Sequence, residues 1–178
     1  MIATPQENHI VLGSLLAEIK ASIMYRLLTD DTVCKLLYYD TPDALSKNMT
    51  DRQKQHLFLS KGDTKYRRIY LKPFPNQVTS TKDCELRIHL ADLNVENKYT
   101  YKPYIQIDVL CHNDITDLDD GLNQRQDVLI SRINDLLENY QIEKLVGEMH
   151  LQNISEWTMH DSAYLGYTML FSAGTVNM

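Results

Sequence analysis

The densest group of side chains with ligand chemistry is Asp114, Asp117, Asp119 and Asp120, followed at once by Gly121. Carboxylates around a glycine are what a calcium loop needs, with oxygen ligands at alternating positions and glycine at the sixth for the sharp turn. The register excludes that reading, because with Gly121 in sixth place the first and third positions are Thr116 and Leu118. The same carboxylates suit the start of a helix, where free amides and the dipole favour negative charge.

The histidines, His9, His56, His89, His112, His150 and His160, fall in different segments, and no two make an HxxxH or HExxH pair. His89 and His112 could face each other across two strands, a placement that fits cross-strand packing better than ligation. Cys34, Cys84 and Cys111 are an odd number at wide spacing with no CxxC unit, so buried free thiols are expected rather than a zinc ribbon or a redox dithiol. No GxSxG elbow or P-loop occurs, and only six glycines are present to allow close approach to a phosphate. Asp108, His112 and Asp114 are the residues a metal-dependent enzyme would use, and that reading predicts an activity lost on His112→Ala. The expectation is otherwise no catalytic residue, no metal and no cofactor. Tyr99, Tyr101 and Tyr104 flank Lys102 and could stack on bases, but a lone lysine gives little grip on a polyanion. Strand formation or an interface patch is the expected role. Trp157 stands among polar residues, where it can anchor a subunit contact or pack locally.

These residues have to be positioned by a chain of 178 residues, 43% of them hydrophobic, enough for one domain or a domain with an extension. Net charge is -6, and the lysines and arginines read as dispersed, which argues against tight binding to a phosphate backbone. The apolar stretches Ile10 to Leu28 and Tyr164 to Ala173 are interrupted by charge or too short to span a bilayer, and no secretory signal is read. No membrane partner is expected.

Ile10, Leu15, Leu16, Ile19, Ile23 and Leu27 recur at helical spacing. Asp30 or Asp31 can cap a second helix, Thr41-Pro42-Asp43 looks like another helix start, and Thr50-Asp51 begins one more polar turn or helix up to Leu59. Lys61 to Asp63 reads as a turn, Tyr66 to Leu71 as a strand, and 74–82 as a loop. From Cys84 onward the period becomes two. Leu86, Ile88 and Leu90 make one strand, and Ile105, Ile107, Val109 and Cys111 another, with a polar connection at Asp92 to Lys98. A helix over Asn123 to Tyr140 should bury Leu129, Ile133 and Leu136. Strands follow at Val146 to Leu151 and Leu165 to Phe171, joined by a polar connection at Asn153 to Ser162. The expected fold is α+β: a mainly antiparallel β-β-α-β-β sheet packed by one long helix in residues 83–178, preceded by a helical extension with one strand in residues 1–82.

Residues 103–110 (PYIQIDVL), the acidic loop, the helix stretch 130–137 (ISRINDLL), a strand bearing Gly147 and the closing stretch 164–171 (YLGYTMLF) together resemble the tail terminator and head–tail joining proteins of long-tailed phages. The resemblance covers about the last 95 residues and is one of order, spacing and strand character. It implies a subunit of a hexameric ring at the head-proximal end of the tail, which stops growth of the tail tube and joins tail to head. The implied partners are further copies of the chain, the tail tube protein and the head connector, with DNA only as passing cargo. The implied location is the virion tail or neck, after assembly in the host cytoplasm. The helical residues before the sheet depart from the family pattern. They admit two alternatives, another neck or tail-completion component and a small accessory module acting on a host protein. Under the ring reading, Gln124, Arg125, Asp127, Arg132 and Asp135 on the free face of the helix are candidates for subunit contact, since a closed ring needs two complementary patches on each subunit. The loops 93–98 and 153–162 are further candidates.

Overall fold

The computed structural model describes residues 5–59, 64–73, 82–97, 100–143, 145–157 and 163–177, with backbone alone at 5–12, 64 and 177. A long helix, α1 (Pro5–Leu28), precedes α2 (Asp31–Tyr38). The Asp30 carboxylate takes the Val33 amide at 3.0 Å, which fixes the start of α2, and Val33, Cys34, Leu36 and Leu37 are its buried side. Thr41-Pro42-Asp43 opens only a short 3-10 turn, Ala44–Ser46. Helix α3 (Asp51–His56) is started by a reciprocal cap in which the Gln53 amide donates to Thr50 Oγ1 and the Thr50 amide to Gln53 Oε1.

The sheet has five strands, β1 (Ile69–Tyr70), β2 (Cys84–Asn97), β3 (Thr100–His112), β4 (Val146–Trp157) and β5 (Tyr164–Asn177), in the order β1-β2-β3-β5-β4. Only β1 runs parallel to its neighbour. Helix α4 (Arg125–Leu137) stands between β3 and β4, so the expected α+β fold with β-β-α-β-β order is the one the chain forms. The turn 61–63 and the loop 74–81 lie outside the described residues.

Two expected connections are strand. Asp92 to Asn97 continues β2 against Tyr104 to Thr100, after a bulge at Leu90/Asp92, and Asn153 to Trp157 continues β4 against Leu170 to Gly166. The reason is that a partner strand satisfies a polar segment's amides and carbonyls as well as an apolar one's.

Helices α1, α2 and α4 pack on one face of the sheet. Ile19, Ile23 and Leu27 of α1, Leu36 and Leu37 of α2, and Leu129, Ile133 and Leu137 of α4 join Leu86, Ile107, Val109, Met169 and Phe171 in one continuous core. Leu136, expected in that core, is only partly buried, and Leu137 takes the fully buried place. Each such side chain contributes roughly 1.5–3 kcal/mol by leaving water.

Candidate interaction site

On the face away from α4, one rung crosses all five strands through Tyr70, Arg87, Asp108, Thr168 and Ser155. Strand alternation places Glu85 and His89 beside Arg87, and Gln106 beside Asp108, on that same face. This row is unusually charged for a sheet, and its groups are used on one another. The Arg87 guanidinium holds Glu85 through Nε at 3.2 Å and Nη2 at 2.9 Å, and lies 4.1 Å from the centre of the Tyr70 ring. Burial raises the Glu85 carboxyl above its ordinary range, although the Arg87 charge and hydrogen bonds oppose it. Burial likewise raises the Tyr70 hydroxyl, with the Glu85 charge adding to it.

Asp108 accepts from Gln106 Nε2 at 2.8 Å and Thr168 Oγ1 at 2.8 Å, and its other oxygen lies 3.0 Å from His89 Nε2. Burial works against its charge, but these three partners outweigh burial and hold the carboxyl below the usual range. The Thr168 hydroxyl therefore points at the carboxylate rather than at His89, and the remaining His89 nitrogen lies 3.4 Å from the Leu90 carbonyl. That geometry holds one buried carboxylate by three side chains of its own sheet.

The other candidate chemistry does not converge. His89 pairs across strands with Gln106, and not with His112. His112 accepts the Asp114 amide at 3.2 Å, while Asp114 pairs with Lys82. Asp120 takes the amides of Leu122 and Asn123 at 3.0 and 2.9 Å, ordering the turn that leads into α4. Among the described residues, no group of His, Cys, Asp and Glu is placed to hold a metal. The three cysteines are free and buried. No described helix is long and apolar enough to cross a membrane.

The expected contact residues are scattered. Tyr99 lies outside the described residues. Tyr101 and Tyr104 are half-buried on β3, opposite Val95 and Asp92. Gln124 is exposed at the start of α4 and accepts from Gln126. Asp127 is exposed and bonds Tyr167, whose hydroxyl is raised first by burial and then by that bond. Trp157 is half-buried at the end of β4.

One placement differs from expectation. Arg125 is not on the free face: it is 0% exposed. Its guanidinium donates to the carbonyls of Ile115 at 2.8 Å, Leu36 at 2.7 Å, Tyr39 at 2.8 Å and Thr41 at 2.9 Å, tying α4 to the end of α2. It stands four residues before Leu129 and eight before Ile133, on the inward stripe of the helix. Arg132 is held within the chain by Asp30 at 2.7 Å, with Asp135 3.8 Å away.

The edges of the sheet are the remaining candidates for contact. The upper part of β4 is covered, since Met149 exchanges hydrogen bonds with Asn139 and Tyr140, and the Leu151 amide donates to Glu138 at 2.8 Å. From Asn153 to Trp157, β4 meets no strand but β5 among the described residues, and Ile154 is 40% exposed. At the other side β1 pairs only with Leu86 and Arg87, and the rest of β2 meets no strand but β3 among the described residues, with Val95 64% exposed. Such edges present unpaired amides and carbonyls to another chain.

Residues 30–173 match the family model YomW, a phage-derived family name. No curated protein matches the chain.

Proposed function

The chain belongs to the YomW family, and from that premise we propose that it is a virion structural protein, a subunit of a ring at the head-proximal end of the phage tail that ends tube growth and joins tail to head. The observation that supports this reading is the pair of sheet edges that meet no second strand among the described residues of a helix-backed sheet, at Ile88–Glu96 of β2 and Asn153–Glu156 of β4. A subunit with two different free edges can bind a neighbour on each side, which is the requirement for a closed ring. The phage-derived family name and the β-β-α-β-β order support it further. The ring would meet the tail tube protein on one side and the head connector on the other.

The test is native mass spectrometry of the full chain, with negative-stain images of the chain mixed with tail tubes of its phage. The reading expects one closed oligomer and tubes capped at one end. A monomer at every concentration that leaves the tubes uncapped would rule it out.

A further inference from the structure

The charge of this acidic chain is not spread evenly. Residues 52–72 hold seven lysines and arginines against one acid, Asp63, which corrects the impression of dispersal. Its described residues, 52–59 and 64–72, come together at one edge of the sheet, because the Leu57 carbonyl just after α3 takes the amides of Arg68 and Ile69, both at 2.9 Å, and so joins α3 to β1; there Lys54 pairs with Asp31, and Arg68 with Asp40 and Asp83. At the opposite edge, residues 138–156 carry Glu138, Glu143, Glu148 and Glu156 against Lys144, and Glu143, Glu148 and Glu156 are exposed. Arg52 and Lys72 are exposed on the basic side. None of these five exposed residues is in an ion pair among the described residues. The two edges also lie level with one another, since a single rung runs from Ile69 through Leu86, Val109 and Tyr167 to Glu156.

We infer that the chain docks head to tail on a second copy of itself, the acidic edge at β4 and the turn after α4 meeting the basic edge at α3 and β1 of the next copy. Complementary potentials favour that pairing, whereas a two-fold dimer would set like charge against like. A basic edge alone would also suit a nucleic acid, but a polyanion leaves the matching acidic edge on the far side without a role. The inference rests on the ring reading for closure of the assembly, and not for the contact itself.

Two charge-reversed variants test it, R52E/K72E and E148K/E156K, in the full chain, with circular dichroism to check that each keeps the wild-type melt. Sedimentation velocity should show wild-type association that weakens as salt is raised. Each variant alone should associate roughly a hundredfold more weakly or worse. Mixed in equal amounts they should assemble again, because every contact in an alternating array then joins an acidic edge to a basic one. Variants that each assemble like the wild type would overturn the inference while leaving the ring reading intact. Wild-type association indifferent to salt would do the same. A mixture that stays dissociated would also overturn it, as would wild-type monomers that bind a fluorescent DNA duplex through the basic edge. If wild-type monomers also leave tail tubes uncapped, the ring reading falls too.

Discussion

Replacing Arg125 by Met should be among the most damaging single changes in the chain, although its charge alone suggests a solvent-facing helix surface. Methionine keeps the apolar stem and approximate volume but removes four hydrogen bonds to the carbonyls of Ile115, Leu36, Tyr39 and Thr41. Each carbonyl left without a donor costs about 1–3 kcal/mol, and removing a buried guanidinium returns several kcal/mol of desolvation. The net loss should be about 4 kcal/mol, a large part of a total stability of roughly 5–15 kcal/mol. With a urea slope of about 2 kcal/mol per molar, the unfolding midpoint should fall by about 2 M. Arg125→Lys should fall in between, because an ammonium keeps the charge but loses the planar fork that reaches several acceptors at once. A midpoint for Arg125→Met within about 0.5 M of wild type would refute the idea that this residue joins α4 to the end of α2.

Three further changes probe other parts of the fold. A Cβ added at Gly166 would overlap the carbonyl oxygen of Val109 on β3, so Gly166→Ala should lose several kcal/mol or fail to fold; a thermal melt near that of wild type would contradict the close approach. Asp30 is opposed by burial, yet Arg132 and the amides of Val33 and Thr32 outweigh it and hold its carboxyl below the ordinary value. The stability from that depressed group is complete above the unfolded pKa and disappears as pH falls through the folded one, so it should decline below about pH 4. Urea unfolding of Asp30→Asn should show lower stability at neutral pH and a shallower acid decline; an unchanged decline would count against the Arg132 pairing. Burial pushes the Cys34 thiol up to about 12 and, together with its neighbour Cys111, raises Cys84 well above its usual value. Native protein should therefore resist a thiol reagent that labels all three cysteines after denaturation, and rapid native labelling would show that they are accessible.

The parts of this fold that were legible in the sequence are those fixed by local pattern. The alternation of Leu86 and Ile88, and of Ile105, Ile107 and Val109, needs only the two-residue period of a strand with one buried face. The starts of α2 and α3 follow from side chains that reach their own backbone, at Asp30 and Thr50. Strand length was not legible, because Asp92 to Asn97 and Asn153 to Trp157 owe their extended form to partners far along the chain. Arg125 was misplaced because its charge outweighed its position, although its four-residue spacing to Leu129, and from there to Ile133, already put it on the buried stripe. The basic segment 52–72 was present in the sequence and would have emerged from charge counted in windows. Its meaning needed the sheet order, which sets β1 and β4 at opposite edges. The Tyr70–Arg87–Asp108–Thr168 row could not be read beforehand, since four strands contribute to it.

Quantitative mass spectrometry of purified particles shows whether this YomW-family chain is a structural part of the virion. Intact virions should contain the chain at the copy number of a single ring, a fixed small multiple per portal. Its absence from particles, in cells where it is made during infection, would mean that it is not part of the virion.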